Sequence, residues 1–224
     1  MKLLLIANKL RYFSICMKRL ICILYLGFWA CINTFAQEYI SETNNLFIKN
    51  NTAMREILDS ISVQMIKLKD FDYTETQIKS KWFGNIPATI DDIKKTEDRL
   101  KIILPQDYKD FLLTTNGFHA FSQIDPGFCS IDKVDFLKNI DPDLIRIWNQ
   151  HGNVEIGKLL EKSIIIAGIN EEQSFLIIPP DSDNDKCLYW KFAAWIPGEE
   201  RFDDLMHYFS DALNFLKNEI PDDK

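Results

Sequence analysis

The segment from Asp181 to Asp185 has an acidic residue at every second position, which is the pattern of a calcium-binding loop. Such a loop also needs a glycine at its sixth position for a sharp turn, and a glutamate at its twelfth as a bidentate ligand. Lys186 and Phe192 occupy these positions, so the segment cannot close around an ion in that manner. We interpret it as a solvated turn between strands and expect neither a metal nor a cofactor.

Other residues with catalytic chemistry are scattered along the chain. His119, His151 and His207 fall in different predicted elements, and no Cys–His spacing resembles that of a zinc site. The sequence contains no Gly-x-Ser-x-Gly elbow, glycine-rich phosphate loop or His-Glu-x-x-His motif. We therefore predict no catalytic residue set. An envelope hydrolase that uses paired carboxylates is an alternative, and the candidate pairs are Glu171-Glu172, Glu199-Glu200 and Asp203-Asp204.

The charge of the chain is unevenly distributed. Residues 1–36 hold five basic and no acidic residues, so residues 37–224 hold 21 basic and 33 acidic residues, a net charge of −12. A body this acidic repels nucleic-acid phosphates and suits a basic protein partner, because opposite potentials steer encounter. Solubility is the alternative explanation of an acidic surface.

Two tryptophans, Trp190 and Trp195, flank the last predicted strand close to acidic residues. An exposed aromatic residue in such surroundings is a candidate hot spot for a partner. The alternative places Trp190 in the core and Trp195 over a sheet edge. The predicted partner-binding set is Asp181, Asp183, Asp185, Trp190, Trp195, Glu199 and Glu200.

The first 36 residues have the layout of a secretory signal peptide. Lys18 and Arg19 precede an apolar run over residues 20–31, and Thr34 and Ala36 stand at the −3 and −1 positions of a possible cleavage site. We predict export to the periplasm, with no membrane span left after cleavage. A cytoplasmic location and a membrane anchor formed by an uncleaved leader are the alternatives.

Two cysteines, Cys129 and Cys187, remain after the leader. In an oxidising compartment they could pair as a disulfide. Two free thiols that pack as small apolar residues are equally compatible with the sequence.

Apolar spacing and capping residues predict several helices after a polar linker. Residues 37–80 divide into an Asn-rich linker and an amphipathic helix over residues 53–69, capped by Thr52. Residues 70–88 lack helical periodicity. Thr89 caps the next helix, whose apolar side is expected to include Ile90. Pro105 opens a further helix, which Asn116-Gly117 ends. Another helix is predicted from Asp141-Pro142 to Gly152.

The composition changes at Ser163 to β-branched and aromatic runs. Residues 163–169, 174–180 and 186–193 read as strands, and the first two form a hairpin across residues 170–173. Asp203 or Asp204 then caps a closing helix. Helices followed by an antiparallel sheet of four to six strands and a final helix predict an α+β fold. The apolar face of the closing helix comprises Leu205, Phe209, Ala212, Leu213 and Leu216.

Residues 89–117 resemble the opening of the Smi/Knr family domain of the SUKH superfamily. The shared features are a helix that carries a glutamate, a Leu-Pro pair, an acidic-Tyr-x-x-Phe-Leu run and Asn-Gly. The later strands and the closing helix are also similar in order, so the resemblance covers residues 81–220. We interpret the motif residues as mainly structural, although Lys101 stands where the family often has glycine. The matching residues are Glu97, Leu104, Pro105, Asp107, Tyr108, Phe111, Leu112, Asn116 and Gly117.

The resemblance implies a non-catalytic protein-binding module. Bacterial members resemble immunity proteins that neutralise toxins of polymorphic secretion systems, and fungal members resemble regulators of cell-wall synthesis. We therefore expect an immunity-type protein that binds a basic toxin domain by an acidic face, with an envelope or cell-wall maintenance scaffold as the alternative. A sheet with one helical layer would leave an open sheet face for that partner.

Overall fold

The computed structural model describes residues 37, 49–150, 153–181, 186–193 and 200–219. The chain divides into two units, Met1–Lys49 and Asn50–Lys224. Of the first unit, Gln37 and Lys49 are described, and both are helical and exposed. The architecture below is that of the second unit.

The first long helix, α1, covers residues 49–68 and buries four apolar residues at helical spacing. It begins before Thr52, so Thr52 lies inside the helix and the prediction that it caps the helix is wrong. The Asn50 side chain donates to Asp110 at 3.2 Å, and this tertiary contact lies ahead of the predicted start. The buried residues of α1 join the main core, and they are Met54, Leu58, Ile61 and Met65.

A short helix, α2, spans Glu75–Ser80, in the segment where the sequence showed no helical periodicity. Thr74 and Gln77 form a capping box at its start. None of its residues is buried, so there was no apolar stripe from which to predict it. The lack of helical periodicity in residues 70–88 therefore did not reveal this short helix.

Helix α3, Ile90–Leu100, begins at the predicted capping residue. The Thr89 hydroxyl accepts from the Asp92 N–H at 3.1 Å, and the Asp92 carboxylate accepts from the Thr89 N–H at 3.1 Å. This reciprocal capping confirms the predicted start. Ile90 is 64% exposed, so the prediction that it shares the buried side is wrong, whereas Ile93 and Leu100 are buried. Ile90 is the first residue of the helix, beyond the reach of the core.

Helix α4, Gln106–Thr114, follows Pro105 as predicted. The chain after it turns at Gly117, whose φ of +100° lies in the region that favours glycine. A Cβ there would stand 2.8 Å from the Phe128 carbonyl oxygen, so a larger residue has no room. This close approach lets the 118 and 128 backbones pair through an isolated β-bridge.

The middle of the chain forms a 3-10 turn at Ile131–Lys133 and three helices, α5 (Leu137–Ile140), α6 (Pro142–Gln150) and α7 (Val154–Lys162). The Asp141 carboxylate accepts from the Leu144 N–H at 2.9 Å, which confirms the predicted start of α6. Gly152, its predicted end, lies outside the described residues. The sequence did not predict α7, because an interior glycine, Gly157, lowers helix propensity.

Five strands form one antiparallel sheet in sequential order. They are β1 (Asp135–Phe136), β2 (Ile164–Ala167), β3 (Gln173–Ile178), β4 (Leu188–Ala193) and β5 (Arg201–Phe202). The predicted hairpin is confirmed between β2 and β3, where Ile164 pairs with Ile177. Its turn, residues 168–172, has positive φ at Gly168 and Asn170.

The final helix, α8, spans Leu205–Glu219 and closes the α+β fold. The Asp204 carboxylate accepts from the His207 N–H at 2.8 Å, so Asp204 is the capping residue of the two that were predicted. Four of the five predicted apolar-face residues are buried: Leu205, Phe209, Ala212 and Leu216. Leu213 is partly buried and packs against the same core.

Helices cover both faces of the sheet, so the expectation of one helical layer and an open sheet face is wrong. On one face, Ile164, Phe175 and Ile177 pack with residues of α1, α3, α4 and α8. On the other face, Ile165, Leu176 and Trp190 pack with residues of α5, α6 and α7. Because successive strand residues point to opposite faces, the two cores share the same three central strands.

Candidate partner-binding surface

The predicted partner-binding residues do not form one site in the described chain. Asp181 is exposed and pairs with Lys162. Trp190 is completely buried and stacks edge-on against Phe192 at 4.9 Å, so its prediction as a partner contact is wrong. The structure confirms the alternative that places Trp190 in the core, and its side chain packs in the core between the sheet and the α5–α7 layer. Glu200 is exposed. Four other predicted residues lie outside the described chain, namely Asp183, Asp185, Trp195 and Glu199.

The family-motif residues make internal contacts. The Glu97 carboxylate accepts from the Leu104 N–H at 2.9 Å and lies 3.3 Å from the Lys109 ammonium. The Asn116 side-chain oxygen accepts from the Ile131 N–H at 2.7 Å. Pro105 and Gly117 stand at the chain turns before and after α4. The apolar motif residues are buried, and they are Leu104, Tyr108, Phe111 and Leu112.

The two cysteines are free thiols. Burial raises the pKa of the Cys129 thiol from its ordinary 9.0 to about 12, and its S–H donates to the Ile166 carbonyl oxygen at 3.1 Å. Burial also raises the pKa of Cys187. Both thiols are therefore protonated near neutral pH, the form in which a thiol is a poor nucleophile. Within the described ranges, no group of three or more His, Cys, Asp or Glu side chains could hold a metal ion.

Three depressions follow one another along the described chain's surface, from α8 past residues 119–129 to the β2–β3 turn and α5. The α8 groove, of about 230 Å³, is bordered by Asp125, Glu200 and Asp211. The central groove, of about 730 Å³, is bordered by Asp125 and Glu171. The hairpin groove, of about 300 Å³, is bordered by Asp141, Glu171 and Glu172.

Shared lining residues join these depressions into one surface, which we call the acidic band. Asp125 borders both the α8 groove and the central groove, and Glu171 borders both the central groove and the hairpin groove. The ammonium groups along the band are Lys133 and Lys191. The carboxylates are Asp125, Asp141, Glu171, Glu172, Glu200 and Asp211.

A buried ion pair fixes the middle of the acidic band. The Lys191 ammonium donates to the Asp125 carboxylate at 2.8 Å, and these side chains are 14% and 6% exposed. The Ser122 hydroxyl donates to the same carboxylate at 2.9 Å. Glu171 accepts from the Gly127 N–H at 3.1 Å, which ties the loop to the β2–β3 turn. These contacts therefore hold the side chains at the middle of the acidic band in place before a partner binds.

Sequence reasoning found half of the acidic band. Glu171 and Glu172 stood out as an adjacent acid pair in the context of hydrolysis, and Glu200 was both in such a pair and in the predicted partner-binding set. Asp125 and Asp211 were missed because they come from a loop and a helix that are distant in sequence. The Pro126-Gly127 turn beside Asp125 was the available signal for an ordered loop there.

The Tyr208 hydroxyl lies beneath the α8 groove. The residue is 2% exposed, and its hydroxyl makes no hydrogen bond of ordinary geometry within the described chain. Burial raises the pKa of Tyr208 well above 10, and the nearby Asp125 and Glu200 carboxylates raise it further. Both of these carboxylates also line the α8 groove.

Comparison with known proteins assigns the domain. No curated protein matches the chain. None of the helices in the described part of the chain has the length and apolarity that a membrane crossing requires. The model of the SMI1 / KNR4 family (SUKH-1) matches residues 87–218, which is more than half of the chain and runs from before α3 into the last turn of α8. The match confirms the resemblance found in the sequence, and the chain belongs to the SMI1 / KNR4 family (SUKH-1).

Proposed function

We propose that this chain is an immunity-type protein that binds and neutralises a basic toxin domain through the acidic band. Domains of this family generally bind protein partners, are generally non-catalytic and are commonly immunity-type modules. The observation that carries the proposal is the band itself, in which six carboxylates and two ammonium groups line three joined depressions.

Charge and access both favour this surface for a basic partner. The sheet faces are covered by helices, so a partner must use loops, helix surfaces or groove edges. The excess of carboxylates attracts a basic protein and repels nucleic acid. The depressions also offer a shape that a partner can fit. Such shape complementarity is needed because charge complementarity raises the association rate more than the affinity.

Non-catalytic action agrees with the chemistry of the central groove. That groove contains His119 and Cys129, the residue types of a thiol enzyme. The Cys129 pKa of about 12 leaves the thiol uncharged, and its S–H is already directed to a backbone carbonyl. The His119 Nδ1 is 2.9 Å from the Ala120 carbonyl oxygen. The chain therefore fits neutralisation by binding better than thiol catalysis.

Protection from a toxin in cells tests the proposal. Each toxin domain encoded beside this gene is co-expressed with the wild-type chain, with Glu172→Lys/Glu200→Lys, or with Glu56→Lys/Asp98→Lys. The last pair changes the same charges on exposed helix residues outside all three grooves. We expect the wild type and the control to restore growth and co-purify with one toxin, and the band variant to fail.

Absence of protection and of a complex with every neighbouring toxin would contradict the proposal. Recovery of envelope-synthesis proteins in place of a toxin would support the scaffold alternative. Equal protection by the band variant and the wild type would support the immunity function but show that the interface lies outside the acidic band.

The compartment forms a separate part of the proposal. The leader supports export to the periplasm, because its charge, apolar run and small residues follow the signal-peptide layout. The N-terminal mass of the native protein after cell fractionation tests this. A mature N-terminus at Gln37 in the periplasm is expected, and an intact leader in the cytoplasm would refute it.

A further inference from the structure

The α8 groove combines an apolar floor with an apolar rim. Phe202, Tyr208 and Ala212 line it and are at most 7% exposed. Ile124 and Phe215 also line it, yet they are 52% and 37% exposed. Two large apolar side chains thus meet solvent at one small depression, whereas most of the described aromatic residues are buried. Such a rim suits the hydrocarbon part of an incoming side chain.

The same groove carries excess negative charge. Asp125, Glu200 and Asp211 border it, and Lys191 is the ammonium group along its lining. Lys191 is already paired with Asp125. Asp211 faces His207 Nε2 at 3.5 Å, an interaction that adds charge when the imidazole is protonated. With neutral His207, the lining has a net charge of −2, which excludes an anionic group.

The Tyr208 hydroxyl gives a second, independent indication of a ligand. It is a buried polar atom without a hydrogen bond of ordinary geometry in the described chain. It interacts with the Asp125 carboxylate as an acceptor, and a buried polar group that is incompletely hydrogen-bonded costs free energy. Asp125 and Glu200 both act electrostatically on this hydroxyl, so a donor at this place would also meet carboxylates.

We propose that the α8 groove receives one arginine side chain of the protein partner. This inference rests on the proposed function. The guanidinium would donate to Glu200 and Asp211 over the Tyr208 side chain on the groove floor, while its methylenes pack between Ile124 and Phe215. Arginine fits better than lysine, because its planar fork offers five donors and stacks on aromatic rings. At about 230 Å³ the groove is smaller than pockets for drug-sized ligands, and this size suits a single side chain.

A peptide probe tests the chemistry without a known partner. The peptide Ac-Leu-Arg-Leu-amide is titrated into the ¹⁵N-labelled full chain, alongside peptides with lysine, citrulline or glutamate in place of arginine. We expect the amide shifts of Ile124, Glu200, Asp211 and Phe215 to change with arginine. Citrulline keeps the shape of arginine without its charge, and we expect it to bind at least about tenfold more weakly.

Variants separate this groove from the rest of the acidic band. Glu200→Gln/Asp211→Asn removes two charges at nearly constant shape, Phe215→Ala removes rim area, and Glu56→Gln/Asp98→Asn is the matched control, which removes two charges outside the three grooves. We expect the first two variants to weaken arginine-peptide binding at least about tenfold and the control to leave it unchanged. Equal binding of the arginine and citrulline peptides, or shifts confined to other surfaces, would overturn the inference.

The toxin complex distinguishes failure of this inference from failure of the proposed function. If Glu172→Lys/Glu200→Lys weakens toxin binding but Glu200→Gln/Asp211→Asn and Phe215→Ala do not, the arginine site is refuted and band-mediated immunity stands. If the arginine peptide binds as expected but no neighbouring toxin binds, the arginine site is supported and toxin immunity is refuted.

Discussion

The ion pair between Asp125 and Lys191 gives the sharpest stability prediction. It lies between the α8 groove and the central groove, with side chains that are 6% and 14% exposed. Lys191→Met keeps the length and most of the apolar stem of the side chain but removes the ammonium. The Asp125 carboxylate then remains buried with the Ser122 hydroxyl, at 2.9 Å, as its neutral donor.

The magnitude follows from the burial of the uncompensated charge. Removing one partner of a buried ion pair costs about 3–5 kcal/mol, because the remaining charge has lost its solvation without compensation. The Ser122 hydrogen bond persists, so we expect about 3 kcal/mol, the lower end of that range. In Asp125→Asn/Lys191→Met no charge is buried, and the loss should fall to about 1 kcal/mol.

Urea denaturation of the four members of this double-mutant cycle measures the coupling. Lys162→Met is the matched control, because Lys162 pairs with Asp181, whose side chain is 88% exposed. An exposed pair contributes less than about 1 kcal/mol. If Lys191→Met destabilises the protein no more than Lys162→Met does, the assignment of a buried pair at the centre of the acidic band is refuted.

Three further predictions concern the fold around this surface. Gly117→Ala should lower the free energy of unfolding by about 1–3 kcal/mol, because φ is +100° and the new Cβ would stand 2.8 Å from the Phe128 carbonyl oxygen. Thermal or urea unfolding measures this, and a decrease below about 0.5 kcal/mol would contradict this geometry. Thr89→Ala should cost about 1 kcal/mol, since it removes the cap of α3, whereas Thr89→Ser should retain most of the stability; equal losses in the two variants would count against the cap. Folding raises the pKa of Cys129 from 9.0 to about 12, so between these pH values unfolding releases a proton. The free energy of unfolding should therefore fall as pH rises above about 9. If a Cys129→Ala variant loses stability equally at alkaline pH, other groups cause the loss.

Local sequence signals predicted the parts of the fold that local chemistry determines. The α3 cap, the Asp141-Pro142 start of α6 and the β2–β3 hairpin each depend on a few adjacent residues, and each is confirmed. Helix α2 was missed because it buries nothing, and α7 because Gly157 interrupts its propensity. A Cβ at Gly157 would lie 2.1 Å from Asn149 Oδ1, so this glycine allows α6 and α7 to approach closely.

The second helical layer was missed, although the strands carried a signal for it. All four residues of β2 are buried, and four successive residues of β3 are buried as well. Continuous apolar runs are typical of strands that are covered on both faces, whereas a half-exposed strand alternates. A closer interpretation of the Ile164–Ala167 run would have favoured the alternative that places Trp190 in the core and would have removed the open sheet face as a binding site.

The acidic band was only partly predictable, because it is assembled by tertiary structure. Adjacent glutamates are visible in a sequence, and Glu171, Glu172 and Glu200 were noted for that reason. Asp125 and Asp211 come from separate segments with no common spacing, so only the folded chain brings them to one groove with Glu200. Charge composition predicted the kind of partner, while the position of the surface required the structure.

The central claim is that the acidic band binds a basic toxin domain, and calorimetric titration tests it most directly. The purified toxin domain is titrated into the wild-type chain, Glu172→Lys/Glu200→Lys and the control Glu56→Lys/Asp98→Lys. We predict that the band variant raises Kd by at least about a hundredfold, roughly 2.7 kcal/mol, while the control stays within about threefold of the wild type. Equal losses in the two variants would show that only net charge matters, and an unchanged Kd in the band variant would contradict the claim.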